Sequence, residues 1–170
     1  MVDLKGTEVI NEFVSDWLDR NGFDIVAEMG TDYEICLGTN TLYYSPFYCE
    51  ETEQIYREEI IKDFPQFTEY HISINALIAF FHEVGHAETE DEWTIEEWDA
   101  FDEWKDTANP TNREYFRHPI EWRATEWSCT YILENWEKVT KFWADLGILM
   151  EWFYEINEVE LDEEENNICG

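Results

Sequence analysis

The stretch Leu77-Ile78-Ala79-Phe80-Phe81-His82-Glu83-Val84-Gly85-His86 joins an apolar run, typical of a helix, to two of the four histidines in the chain. Side chains four residues apart lie on one face of a helix, so the imidazoles of His82 and His86 can reach one zinc ion. Glu83 between them can hold a water molecule as general base. The pattern predicts a helix that carries part of a zinc site. The alternative is a helix with two histidines beside an acid and no metal.

The third protein ligand has to come from outside this motif, because a zinc protease site uses three protein ligands and leaves one position open. His71, His118 and the many carboxylates are the remaining candidates. His71 precedes the motif helix and would require a tight return of the chain. Glu121 is the favoured ligand, and His118, about one helical turn earlier, is the second choice.

Small side chains accompany Glu121 on the face of a predicted helix. Ala124, Thr125 and Ser128 share this face, and Gly85 thins the motif helix in the same way. Small side chains allow two helices to approach closely, which would bring the Glu121 carboxylate to a metal held by the facing helix. The alternative is a surface glutamate whose small neighbours only pack against another element.

Two short motifs together resemble the ImmA/IrrE type of small zinc metallopeptidase. The sequence H-E-V-G-H-A at 82–87 matches the H-E-x-G-H helix of that family, and E-W-R-A-T-E-W at 121–127 is similar to its later motif, E-x-x-A-[N/D]-x-[F]-A. Thr125 stands where the family has Asn or Asp, and Ser128 replaces a small Ala. The resemblance spans about residues 70–130.

This resemblance implies a zincin-like fold and zinc as the cofactor. His82, His86 and Glu121 would bind the ion, and Glu83 would activate water. Zinc lowers the pKa of a bound water to about 7 and polarises the scissile carbonyl. Glu83 would take the water proton and pass it to the leaving amine.

The oxyanion formed during peptide hydrolysis needs a hydrogen-bond donor besides zinc. Tyr115 and His118, just before the predicted ligand helix, are the candidate donors, and each has a purely structural role as its alternative. The run Tyr43–Tyr48 is a candidate edge strand that would align an extended substrate by strand addition.

The charge of the chain is strongly unbalanced. Its 170 residues are expected to form one domain over residues 1–157 and an acidic, flexible tail at 158–170. The 41 acids and 10 bases give a formal net charge of −31. Such a surface repels nucleic acid phosphates, so we expect no direct nucleic acid binding, and it attracts basic proteins. Halophilic adaptation is the alternative, which the nine Trp, nine Tyr and eleven Phe disfavour.

Two functional hypotheses follow from the motif and the charge. The first is a zinc metallopeptidase-like protein of a phage or mobile element, acting on a basic intracellular protein such as a DNA-binding repressor or a defence protein. The second is a non-catalytic acidic inhibitor, built on a zincin-like scaffold, that occupies the DNA site of a nucleic-acid-binding host enzyme. Dense acid with many aromatics is similar in composition to phage anti-defence DNA mimics.

Targeting signals and cysteine spacing indicate the compartment. The N-terminus lacks the basic and apolar regions of a signal peptide, and no stretch approaches about 18 apolar residues. We therefore expect a cytoplasmic protein without a membrane span. The four cysteines show no C-x-x-C spacing and are expected to be free thiols, with zinc ligation as a minor alternative: Cys36, Cys49, Cys129 and Cys169.

Hydrophobic periodicity and turn residues predict an α+β fold, mostly helical, with a small N-terminal sheet that is antiparallel or mixed. Pro46 suggests that the third strand is an edge strand or ends there. The predicted helices cover 7–21, 50–63, a motif helix capped by Ser73, about 94–104, about 118–138 and about 139–157. The predicted strands cover 23–28, 33–37 and 41–48.

Overall fold

Seven α-helices and a three-stranded mixed sheet form the regular structure of the described residues, which are 4–45, 50–69 and 74–157 in this computed structural model. This mostly helical α+β architecture confirms the predicted fold class. In chain order the elements are α1 (Thr7–Arg20), β1 (Val26–Met29), β2 (Glu34–Cys36), β3 (Thr41–Tyr44), α2 (Glu50–Asp63), α3 (Ile74–Thr89), α4 (Ile95–Thr107), α5 (Asn112–Arg117), α6 (Pro119–Glu134) and α7 (Trp136–Asn157). None of the helices in these ranges combines the length and the apolar character that crossing a membrane requires.

The chain packs as two compact units, and the single-domain organisation expected for residues 1–157 stays a prediction. Among the described residues, those within 1–49 and 132–170 form one unit, and those within 50–131 form the other. Several sequence predictions fall outside the described residues, namely those on Pro46, Cys49, His71, Ser73, Cys169 and the tail at 158–170. Of the other two cysteines, Cys36 is an exposed free thiol and Cys129 a buried one, as expected.

The sheet of the first unit has the strand order β1-β3-β2, with β1 parallel and β2 antiparallel to β3. The antiparallel pair is a hairpin joined through Gly38-Thr39-Asn40, residue types typical of such a turn, and Asn40 takes a positive φ of 50°. Of the two interpretations of Pro46, the edge strand is wrong, because strands on both sides pair with the backbone of β3. Its hydrogen-bonding groups are therefore already used and are not open to an added substrate strand. The other interpretation, that the strand ends at Pro46, agrees with the end of β3 at Tyr44.

Helix α1 buries one apolar face, as its sequence period predicts. Ile10, Val14 and Leu18 are fully buried, and Trp17 stacks on Phe142 of α7 with ring centroids 4.4 Å apart. The next residues turn sharply through Gly22, whose φ of 85° suits a residue without a Cβ just past a helix end. This packing ties the two chain segments of the first unit together.

The helices of the second unit match the predictions at most boundaries. Helix α2 covers the predicted residues, and α4 begins with a capping box in which both Thr94–Glu97 hydrogen bonds are present. Helix α5 lies where no helix was predicted, although Thr111 and Glu114 form a second capping box at its start. The predicted helix 118–138 instead ends at Glu134, before Asn135, a residue type that favours helix ends over helix interiors.

One buried carboxylate joins α2 to α5. Glu59 is 3% exposed, and it pairs with Lys62 Nζ at 2.8 Å, with Arg117 Nε at 2.6 Å and with the Arg113 guanidinium. Burial alone raises the pKa of Glu59. The hydrogen bonds from Lys62, Arg117 and Arg113 outweigh burial and hold the pKa at about 2. Glu59 and these three bases, the Glu59 cluster, fix the position of the short helix α5.

Glu59→Gln is expected to lower the free energy of unfolding by about 2–3 kcal/mol at pH 7, because three bases lose their shared carboxylate. The folded pKa of about 2 lies below the ordinary value of 4.5, so the stabilisation is complete above the latter pH and is lost as the pH falls towards the former. Urea unfolding of wild type and variant across this pH range measures the difference between their free energies of unfolding. Protonation of the other acidic residues changes both proteins alike, so its effect cancels from this difference.

Glu126→Gln is the matched control for the Glu59 cluster, because the Glu126 side chain is 50% exposed and its ion pair within the described part of the chain is with Arg123. Its expected effect is below about 1 kcal/mol. A Glu59→Gln difference that stays constant between neutral pH and about pH 2 would contradict the assigned role of the carboxylate.

Candidate metal centre

Helices α3 and α6 touch backbone to backbone at Gly85. A Cβ built on Gly85 would lie 2.5 Å from the Ala124 carbonyl oxygen, which is closer than real Cβ atoms come to any such atom. Nearby, the Ser128 hydroxyl donates to the Ile78 carbonyl oxygen of α3 at 2.9 Å. These contacts confirm that the small residues of the two motifs face each other and allow the helices to approach closely.

Three predicted ligands come together at this contact. His82 Nε2 lies 2.8 Å from Glu121 Oε2, and His86 Nε2 lies 3.0 Å from the same oxygen. The two imidazole rings stand nearly perpendicular, at 84°, with centroids 4.6 Å apart. Across the described ranges, these three side chains make a group whose ligand atoms all lie within 4.8 Å of one another.

The protonation states favoured by the surroundings are those that a metal ion requires. Burial raises the pKa of Glu121, but hydrogen bonds from His82 and His86 outweigh it and hold the pKa well below the usual range. Burial and the neighbouring His86 lower the pKa of His82, against the opposing effect of Glu121. The Glu121 carboxylate is already ionised, whereas each histidine Nε2 has to lose its proton or pass it to Nδ1 before it can bind a cation.

Two hydroxyl groups contact the proposed ligands at atoms other than those that converge on one another. Thr125 Oγ1 lies 2.9 Å from His82 Nδ1, so it can fix the ring while Nε2 points at Glu121. The Tyr115 hydroxyl donates to Glu121 Oε1 at 2.7 Å. Burial raises the pKa of Tyr115, as do the charges of Glu121 and Glu83, so the phenol keeps its proton. The hydroxyl already donates this proton to Glu121, so donation to an oxyanion would require the existing hydrogen bond to break.

His118 lies at the end of α5, in aromatic packing. Its ring centroid is 4.3 Å from that of Phe101 and 4.8 Å from that of Trp104. Its Nδ1 accepts a hydrogen bond from the backbone N–H of Ile120 at 3.2 Å, and burial lowers its pKa. The neutral His118 side chain thus accepts a backbone hydrogen bond from the first turn of α6. Its roles as ligand or oxyanion donor stay predictions, for which Nε2 is the remaining atom.

Glu83 follows His82 on α3 and is half-buried. Its charge contributes to the raised pKa of Tyr115. A general base has to lie beside the water that it deprotonates. The position of Glu83 next to a ligand, on the same helix, is compatible with that task.

The donor set of this group fits zinc. Two imidazole nitrogens and one carboxylate oxygen are the three protein ligands of one common class of catalytic zinc site. The side chains are 14% (His82), 10% (His86) and 8% (Glu121) exposed, so the group is shielded and still reachable from solvent. The hydroxyl contacts to His82 and Glu121 supply the outer support that metal ligands commonly have.

No protein-family model matches this chain, and comparisons with curated proteins and with solved structures also find no match. The resemblance to ImmA/IrrE metallopeptidases therefore stays an expectation. The sequence did not indicate the contact of Tyr115 with Glu121 or the Glu59 cluster. The spacing of Arg113 and Arg117, four residues apart on one helix face, is a signal that could have indicated an acidic partner for α5.

Proposed function

We propose that this chain is a zinc metallopeptidase-like protein that acts on a basic protein such as a DNA-binding repressor or a defence protein. One observation carries the proposal: His82 and His86 direct their Nε2 atoms at a single oxygen of Glu121, and Glu83 lies on the same helix. A structural site would need the ligands alone. The adjacent acid supplies the base that peptide hydrolysis also requires.

His82, His86 and Glu121 would hold the ion, with Thr125 orienting the His82 ring. When bound, zinc would supply a Lewis acid that polarises a peptide carbonyl and makes water more acidic. Glu83 takes a proton from the attacking water and delivers it to the leaving amine nitrogen, so the carboxylate is regenerated at the end of the cycle.

Exposed acidic side chains on the second unit favour a basic substrate. Helix α4 exposes Glu96, Glu97, Asp99, Asp102 and Glu103, and the whole chain carries a formal charge of −31. A field of this sign raises the local concentration of cationic segments and speeds their association, more so at low salt. The same field disfavours acidic peptides as substrates.

Zinc analysis tests this proposal first. Protein purified without added metal is expected to contain about one zinc ion per chain, because the three-ligand group can hold one ion. Glu121→Gln is expected to lose most of the zinc, whereas His118→Ala keeps it, which separates the favoured ligand from the second choice. The wild-type protein should then cleave an arginine- and lysine-rich protein at many turnovers per chain.

Absence of zinc from the wild-type protein would sink the metallopeptidase proposal. Zinc loss in His118→Ala with retention in Glu121→Gln would exchange the two ligand assignments. Both variants should be compared by thermal unfolding, so that metal loss is not confused with loss of the fold.

A non-catalytic acidic inhibitor is the second candidate, supported by the 41 acids against 10 bases. Such a protein would imitate the phosphate array of DNA on a nucleic-acid-binding enzyme. It must be present in at least equal numbers to its target to inhibit it fully. Duplex DNA should compete with it for the target, and this competition should weaken steeply as the salt concentration rises. Inhibition that saturates at one chain per target, with no cleavage product, would favour this candidate.

A further inference from the structure

The two oxygens of Glu121 have separate partners. Oε2 receives both histidine Nε2 atoms, at 2.8 Å and 3.0 Å, whereas Oε1 accepts a hydrogen bond from the Tyr115 hydroxyl at 2.7 Å. The carboxylate is 8% exposed, so few other groups can compete for Oε1. Both oxygens of the Glu121 carboxylate are therefore held in place by hydrogen bonds.

We propose that Tyr115 is a positioning residue that restricts Glu121 to binding the metal through one oxygen. This inference rests on the proposed zinc site and deepens it. A carboxylate with both oxygens available can bind an ion in a bidentate manner. That second contact would fill the position which a catalytic site leaves open for water or substrate. By engaging Oε1, Tyr115 keeps this position free.

The hydroxyl can do this because α5 holds the tyrosine in place. A capping box at Thr111 fixes the start of the helix, and Arg113 and Arg117, on either side of Tyr115 in sequence, both pair with Glu59. The Tyr115 ring also packs near Phe101, with centroids 5.9 Å apart. The backbone and the ring are thus both restrained, and only the hydroxyl reaches the ligand.

The test is Tyr115→Phe, which removes one oxygen and keeps the ring. Zinc affinity is measured by competition with a chromophoric chelator, and we expect about 10–100-fold weaker binding than in the wild type. The visible absorption of the cobalt-substituted protein is the second readout. We expect its bands to weaken in the variant, because a second carboxylate oxygen raises the coordination number above four. A loss of stability alone would not change this spectrum.

Tyr44→Phe is the matched control, since Tyr44 in the other unit donates an equally short hydrogen bond, 2.6 Å, to Asn11 Oδ1. It should leave the zinc affinity and the cobalt spectrum unchanged. Wild-type zinc binding with a Tyr115→Phe affinity within about twofold and an unchanged spectrum would overturn the inference and leave the proposed function standing. A wild-type protein that binds no zinc would overturn both. Circular dichroism of each variant confirms that the compared proteins are folded.

Discussion

Replacing Glu83 by Gln is expected to lower the rate of peptide hydrolysis by about 10²–10⁴-fold, while about one zinc ion per chain stays bound. Glutamine keeps the size of the side chain and cannot accept a proton at neutral pH, so only the acid–base step is removed. Glu83 is not among the three converging ligands, which is why metal binding should survive. The measurement is steady-state cleavage of a basic protein, with the zinc content determined on the same preparation.

Glu88→Gln is the matched control for this experiment. Glu88 lies on the same helix as Glu83 and is exposed, so its neutralisation changes the net charge equally without removing a group beside the ligands. Its activity should equal that of the wild type. Cleavage by Glu83→Gln at the wild-type rate would remove Glu83 from the mechanism, and zinc loss in this variant would assign it a role in metal binding instead.

Gly85→Ala is expected to lower the free energy of unfolding by about 1–2 kcal/mol and to weaken zinc binding. Alanine in a helix interior is intrinsically better than glycine by about 0.5–1 kcal/mol. Here, however, the new Cβ would lie 2.5 Å from the Ala124 carbonyl oxygen, and overpacking of this kind costs about 1–3 kcal/mol. The helices must separate, which moves His82 and His86 away from Glu121. Urea unfolding and chelator competition measure the two effects.

Gly147→Ala provides the opposite expectation from the same substitution. Gly147 lies inside α7, and a Cβ there would meet no atom within 4 Å. This variant should be more stable than the wild type by about 0.5–1 kcal/mol, with unchanged zinc affinity. A Gly85→Ala protein that gains stability to the same extent would show that the α3–α6 contact is less tight than described.

Local sequence signals predicted the helices well where apolar residues recur at the helical period or where a capping motif marks the start of the helix. The apolar period of α1 and the Thr94–Glu97 box are of this kind. The six-residue helix α5 is too short to show a period, although its Thr111–Glu114 box was readable. The order of the strands was harder to predict. β1 and β3 pair in parallel although β2 lies between them in the sequence. Of the two interpretations of Pro46, an edge strand or a strand end, the edge strand is wrong because β3 is central.

The candidate site was predictable in part for the same reason. A spacing of four residues places His82 and His86 on one helix face, and the small residues around Glu121 indicated which helix faces them. The contact of Tyr115 with Glu121 could not be read in this way, because the helix is interrupted at His118 between them. Where the tyrosine hydroxyl ends depends on the angle between α5 and α6, which is fixed by tertiary contacts.

The contact between Gly85 and the Ala124 carbonyl also bears on how this protein can evolve. The atom of α6 that limits how closely α3 can approach is the main-chain carbonyl oxygen of residue 124. Every residue type at this position carries the same oxygen. Substitutions among the surrounding side chains can therefore exchange ligands or neighbours without compressing the gap between the two helices. Lineages derived from this chain can diversify the chemistry of the site while inheriting its dimensions, provided that position 85 remains glycine.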